Sequence, residues 1–303
     1  MQTQKLKGTI YILIATVIWG STFVAQSATT VQPFTYQGVR SVIGAVFLVF
    51  LSLVLDAVAK KNGTYKKPTK QENKTLVVGG IVCGVILFGA TNLQQFGIHF
   101  DTDPGKAGFI TAMYILIVPI IGLFTRKKVP VNVWISIGVA VVGLFLLCVQ
   151  PGTGFALKTG DYFLLLCALV FAFHIVAVDY FAPKVDGVKL SCLQFIVSGF
   201  ISCVFMFIFE QPSLEMIRQN TFTILYAGIG SSGIAYTLQI VGQKYSPPTI
   251  ASLVMSFESV FAVLSQVVVM WIMPSGRELA GCAVMFLAIM LSQLPEKREK
   301  ITE

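Results

Sequence analysis

GTIYILIATVIWGSTFVAQ, residues 8–26, contains no Asp, Glu, Lys or Arg, and GDYFLLLCALVFAFHIVAV, residues 160–178, lies over it at a displacement of 152. Trp19 falls on Phe171, Ala15 on Cys167 and Ala25 on Ala177. A helix needs about 20 apolar residues to cross a bilayer's hydrocarbon core, where only helices and closed barrels satisfy their backbone hydrogen bonds. The apolar sequence is continuous rather than alternating, which excludes the barrel. Leu76–Phe100, Ala107–Thr125, Leu190–Phe209 and Asn220–Gln243 are further uncharged runs of the same kind. The chain therefore reads as ten membrane spans, at 8–27, 34–56, 76–98, 104–125, 131–149, 160–182, 189–209, 219–242, 248–271 and 277–294.

A second alignment fixes how the spans are grouped. WISIGVAVVGLFLL (134–147) lies over RELAGCAVMFLAIM (277–290) at a displacement of 143, with Gly138 on Gly281 and Ala140 on Ala283. The drop of nine matches the difference between a 19-residue loop at 57–75 and a ten-residue loop at 210–219. Both numbers follow from a duplication with one lengthened loop, giving five-span units at residues 1–150 and 151–303. Five is odd, so the second unit starts on the opposite side of the membrane and the two are inverted. Inverted repeats suit alternating access around a central cavity near the midplane.

Composition agrees. Hydrophobic residues make up 55% and charged residues 12% of the 303, against roughly 25% charged in an average soluble domain. Too little chain lies outside the spans for a soluble catalytic domain. With both termini in the cytoplasm, seventeen of the 22 Lys and Arg fall in inner loops, and only Lys106, Lys158, Arg218 and Arg277 fall outside. That asymmetry follows the positive-inside rule, so the net charge of +8 reports orientation rather than a nucleic-acid partner. Six cysteines all fall in apolar runs, with no CxxC pair, and read as packing residues. No GxxxxGK[ST] loop occurs, two histidines make a metal site improbable, and no cofactor is implied.

In order and layout the chain resembles the drug/metabolite transporter superfamily, in its ten-helix EamA-type branch. The residues that carry the resemblance are Trp19-Gly20-Ser21, Arg40 after Pro33, Thr111 followed by Val118-Pro119-Ile120-Ile121, Gly138 with Gly143, and Ser256-Phe257-Glu258-Ser259-Val260-Phe261-Ala262. This chain has Ser259 where the family usually shows Pro, and its acid after span nine is displaced to Glu278. The resemblance implies export or exchange of small polar or amphipathic metabolites, amino acids or drug-like compounds, across a bacterial cell membrane.

Polar groups inside the membrane are costly unless paired or hydrated, so they mark function. Glu258, well inside span nine, should face the bundle interior or a wet cavity, where it suits proton exchange or a structural tie. Arg40 in span two would bind a solute carboxylate with its planar fork, snorkel outward, or pair with Glu258. His174 in span six suits a proton relay or ligand contact, or is a satisfied core histidine. Asn92 and Gln95 share a face of span three, as Tyr236 and Gln239 do in span eight. The repeat sets these two stripes in equivalent places, to line the cavity or to bond between helices. Trp19 and Tyr114 flank the polar faces and are expected to touch solute. Pro119 should kink span four.

Together these residues point to a secondary transporter, with Glu258 and His174 as the proton-coupling groups. An uncoupled pore, a lipid scramblase and a membrane-embedded lipid-modifying enzyme are the alternatives. Spans two, five, seven and ten carry apolar surface enough for membrane lipid or for a homodimer.

Overall fold

The computed structural model describes residues 2–100, 104–124, 129–149, 157–271 and 273–294. Among them nine helices are long and apolar enough to cross a membrane. Spans one to three are the continuous helices Gln2–Ser27, Pro33–Lys61 and Lys70–His99, and span four is Pro104–Thr111 followed by Tyr114–Phe124. Spans five to seven are Val131–Cys148, Thr159–Phe181 and Gly187–Phe209. A short helix, Leu214–Gln219, leads into span eight, built of Thr221–Leu225, a π-helix at Tyr226–Ala235 and Tyr236–Gln243. Span nine is Pro248–Met255 and Glu258–Met270. The tenth helix, Gly276–Ser292, has 17 residues, about 25 Å at 1.5 Å per residue, and packs along span five.

Local sequence sets the helix starts. Thr69 with Glu72, and Ser275 with Glu278, form reciprocal capping boxes, and Asp186 caps span seven through the Lys189 N–H. Glu278, the displaced acid of the sequence, is therefore a capping residue. Pro248 starts span nine, where a missing N–H costs nothing. The cap of span two comes from elsewhere in the chain. Glu210, just past span seven, accepts from the Phe34 N–H (2.8 Å), the Thr35 N–H (2.7 Å) and the Thr35 hydroxyl (2.7 Å). At the other end of the same helix pair, Lys189 meets Asp56 at 2.8 Å. Spans two and seven are thus antiparallel and pinned at both ends.

The packing comes in mated pairs. Span one packs on spans eight and nine, and span six packs on spans three and four. Span two packs on eight and span seven on three, while two with seven and five with ten pack on each other. Exchanging each span for the one five places away turns this set into itself, as a two-fold relation between the halves requires. Two mixed bodies result, one of spans one, eight and nine, the other of spans six, three and four. Among those nine helices span eight is the most enclosed, with 61% of its most apolar window buried, and span two the least, with 17%. Val46, Phe50 and Leu53 of span two and Phe200 and Phe207 of span seven are exposed and face lipid.

Spans four and nine are both pinched, at matching points. Met113, Ile115 and Leu116 donate to carbonyls three residues back (3.1, 3.1 and 3.0 Å), and so do Phe257, Ser259 and Val260 (3.1, 3.3 and 3.0 Å). Each residue of the first set lies 144 before its mate. The helix Tyr114–Phe124 runs through Pro119; the discontinuity lies before Tyr114, not at the proline.

Span eight departs from its mate by one residue. A Cβ added at Gly84 would meet the Gln194 carbonyl oxygen at 2.8 Å and the Val197 side chain at 2.6 Å. One added at Gly228 would meet the Arg40 oxygen at 3.0 Å and the Ile43 side chain at 2.9 Å. These are equivalent contacts at a displacement of 144. Further along, Gly97 lies against the Gly160 oxygen (3.1 Å) and Gly242 against the Gly8 oxygen (2.8 Å), equivalent at 145. The second half therefore holds one extra residue between Gly228 and Gly242. The π-helix, whose bonds reach five residues back instead of four, absorbs it.

Arg126, Lys127, Lys128, Lys297, Arg298 and Lys300, counted above among the inner basic residues, lie outside the described residues.

Candidate functional site

Between the two mixed bodies lies a narrow cavity, with about 530 Å³ of atom-free space when its open mouth is included. Span one contributes Trp19, Thr22, Phe23 and Gln26, span eight Ser231, Tyr236 and Gln239, and span nine Met255 and Glu258. Gln94 of span three, Tyr114 of span four, and Phe171 and Ile175 of span six form the facing wall, and Arg40 of span two reaches in between. The cavity runs from the pinched middle of the bundle to Gln26, one residue from the C-terminal end of span one.

The pinches bring Tyr114 and Glu258 together. Each is the first residue of its helix after the discontinuity, and the Tyr114 hydroxyl lies beside the half-buried Glu258 carboxyl. They are repeat mates, so the inverted halves meet face to face here. Gly20 completes the wall. A Cβ there would meet the Phe261 Cβ at 2.6 Å and the Glu258 carbonyl oxygen at 2.7 Å. Only glycine lets span one lie against span nine at the height of Glu258, which brings Trp19 and that carboxyl into one lining.

Arg40 is buried, 3% exposed. Its Nη2 donates to the Ser231 hydroxyl (2.9 Å) and its Nε to the Ser232 hydroxyl (3.3 Å), both on the π-helix. The guanidinium also lies 5.8 Å from the Tyr36 ring centre. Among the described residues no carboxylate lies at ion-pair distance, so the Arg40–Glu258 pair and the snorkelling reading are both set aside. A cation held by neutral hydroxyls keeps its charge available to the cavity.

Aromatic rings fill the middle. Trp19 and Tyr236 meet edge to face at 4.9 Å, and Tyr114 and Phe171 at 6.5 Å. The Trp19 indole N–H and the Gln239 Oε1 are buried without a hydrogen-bond partner. Such groups carry a cost of about 1–3 kcal/mol each unless something meets them.

Of the nine residues expected to bind solute, Trp19, Arg40, Tyr114, Tyr236, Gln239 and Glu258 line the cavity, and Asn92, Gln95 and His174 do not. Asn92 donates to the Phe88 carbonyl (2.8 Å) and the Ser202 hydroxyl (3.1 Å), an interhelical tie between spans three and seven. Gln95 accepts from Gln26 at 2.6 Å and so orients a lining residue. His174 stands behind Tyr236, ring centres 6.1 Å apart, with its Nε2 3.1 Å from the Gln194 Oε1. It steadies the wall without touching the cavity.

Thr22, Phe23, Gln26, Gln94, Phe171, Ile175, Ser231 and Met255 escaped the sequence reading. A signal existed for Thr22, Phe23 and Gln26, which continue the face of Trp19 at steps of three, four and seven. Gln94 was missed through the extra residue in span eight: its mate is Gln239, and both line the cavity.

Comparison with known proteins bears on all ten spans. The model of the EamA-like transporter family matches twice, over residues 6–149 and 158–294. An uncharacterized transporter of Archaeoglobus fulgidus is 25% identical over 294 residues, covering 96% of this chain and 87% of that protein. A protein solved by crystallography superposes with a TM-score of 0.76 at 20% identity, covering 97% of this chain and 98% of its own, a likeness of fold.

Proposed function

Because this chain belongs to the EamA-like transporter family, we propose that it is a secondary transporter, not an enzyme, moving a small amphipathic metabolite such as an amino acid. The observation that carries the reading is the placement of Arg40 and Glu258 on different walls of one aromatic-lined cavity. A cationic fork suits a carboxylate, a carboxylate suits an ammonium, and Trp19, Phe23, Phe171 and Tyr236 offer apolar and cation–π contact to the rest. The free Trp19 N–H and Gln239 oxygen supply one more donor and one more acceptor.

Alternating access follows from the packing. The bodies one–eight–nine and six–three–four rock against each other, while spans two with seven and five with ten straddle the boundary. Residues 1–150 and 151–303 are the genetic repeats, and the moving bodies draw on both. The chain is oriented with both termini in the cytoplasm of a cell membrane, as the lysine-rich loops favour, and exports its solute in exchange for protons.

Coupling works by competition at Glu258. One carboxyl cannot hold a proton and the solute's ammonium at once, so proton entry releases the solute. His174 acts through Tyr236 in this scheme rather than as a relay. The test is flux in liposomes of the purified protein under an imposed pH gradient, across a panel of amino acids and amphipathic cations. Wild-type flux should rise severalfold with the gradient, and Glu258→Gln, which resembles the protonated carboxyl, should bind solute more weakly and lose that response. A gradient response that survives in Glu258→Gln would remove the coupling role.

A further inference from the structure

We propose that the loop joining spans two and three, together with the turn between spans six and seven, forms a site for the phosphate headgroup of an acidic phospholipid in the inner leaflet. This is the loop, at 57–75, that exceeds its repeat mate by nine residues, so the other half contains no counterpart. It is ordered against its own helix. The Thr64 and Tyr65 N–H groups donate to the Ala59 carbonyl (2.9 and 3.1 Å), and the Lys60 ammonium lies 4.9 Å from the Tyr65 ring centre. Its far end is fixed by the Thr69–Glu72 capping box.

With the six–seven turn, the loop borders an open basin, about 1140 Å³ of atom-free space with its mouth included, lined in part by Lys66, Lys67, Lys184, Lys189 and Lys244. Three acids share the lining, and each is already engaged. Asp56 holds Lys189 at 2.8 Å, Glu72 accepts from the Thr69 N–H at 2.7 Å, and Asp186 accepts from the Lys189 N–H at 2.9 Å. Lys184 lies over the Tyr180 ring at 3.0 Å. Lys66, Lys67 and Lys244 have no ion pair among the described residues. Five lysines against three carboxylates leave the lining a net charge of +2, and Lys66 and Lys67 of the two–three loop converge with Lys244 of the eight–nine turn on a hollow roomy enough for a headgroup.

The surroundings select a lipid over a free anion. Leu55 and Val58 on span two, and Val77 and Ile81 on span three, are exposed on the helix stretches leading away from the basin. They give the two helices that border the basin an apolar surface for acyl chains. Basic pockets between spans on the cytoplasmic side are the usual seats of anionic headgroups. The site rests on the orientation proposed above but not on the central cavity, so failure of the transport reading leaves it standing.

The experiment is native mass spectrometry of the full chain with phosphatidylglycerol or phosphatidylcholine, beside melting curves in detergent. Phosphatidylglycerol should be retained in preference to phosphatidylcholine and raise the melting temperature. In the triple variant Lys66→Ala/Lys67→Ala/Lys244→Ala that affinity should fall roughly a hundredfold, about fivefold per lysine. The three positions are exposed, so lipid-free melting should stay unchanged, and the triple arginine variant should keep binding. Equal retention of phosphatidylglycerol by the triple alanine variant would overturn the site. Inorganic phosphate stabilising the lipid-free protein as well as phosphatidylglycerol does would overturn its assignment to lipid.

Discussion

At the end of the cavity that the proposed orientation makes the inner one, Gln239 donates to Gln243 at 2.8 Å and Gln243 donates to the Ile175 carbonyl at 3.0 Å. This chain ties span eight to span six, across the boundary between the two bodies. At the outer end the mates of these residues are Gln94, Ile98 and Phe23. Ile98 has no amide to give, and it sits with Phe23 in an apolar cluster instead. A second crossing reverses the pattern. The outer end has Gln26 donating to Gln95 at 2.6 Å, whereas their inner mates, Val178 and Ile240, share an apolar cluster. Each end thus carries one amide link and one apolar contact, at exchanged positions. Interhelical hydrogen bonds in membranes average about 0.6 kcal/mol, so neither end is held by much more than the other. The alternating access proposed above, which opens both ends in turn, needs that near-balance, since a ligand shifts an equilibrium only by its differential affinity.

The largest expected difference between the ends lies within the bodies. A Cβ at Gly242 would meet the Gly8 backbone oxygen at 2.8 Å, and one at Gly97 would meet the Gly160 oxygen at 3.1 Å. Backbone cannot turn aside as a side chain can. Side-chain crowding is similar at the two, with Ile12 at 2.6 Å from the one and Leu164 at 2.5 Å from the other, so Gly242→Ala should cost about 1–3 kcal/mol, the usual range for overpacking, and Gly97→Ala somewhat less through its looser backbone contact. Melting of the two variants in one detergent checks this. Equal losses would mean that spans one and eight are no tighter than their mates three and six.

The apolar runs and the offset of 152 made the ten spans and their duplication legible, because lipid tolerates little but helix and a repeated run is hard to disguise. The cavity was legible where large or charged groups sit deep in a span, as with Arg40, Tyr114 and Glu258. It failed where register decides. One residue absorbed by the π-helix turned the equivalence of Gln94 with Gln239 into an apparent one with Gln95, and a single step rotates a helical side chain by about 100°. The pinch before Tyr114 left no mark either, since neither Ala112-Met113 nor Ser256-Phe257 is a helix breaker. Pro119 drew attention to the wrong turn.

Removing the inner amide link sharpens the comparison next. Gln243→Leu abolishes the bond to the Ile175 carbonyl and leaves Gln239 without its acceptor. A loss of about 1 kcal/mol should move the balance toward inner opening roughly fivefold. A cysteine placed at Gln239 should then react faster with an impermeant thiol reagent applied from the inner face. Unchanged labelling would mean the amide chain does not hold that end.

The smallest effect, and the most specific, comes from giving the outer end what the inner one has. Ile98→Gln places an amide where the mate of Gln243 stands, one turn from Gln94 and within the cluster that holds Phe23. If the ends differ as the side chains indicate, this amide finds the Phe23 carbonyl as Gln243 finds that of Ile175. The gain is one link of about 0.6 kcal/mol, or a two- to threefold shift toward outer closure. It should slow labelling of a cysteine at Gln94 from the outer face, and the double variant Ile98→Gln/Gln243→Leu should shift further still toward the inner-open state. Faster labelling in Ile98→Gln would show that an amide buried there goes unpaired, and that the outer end is held by apolar packing alone.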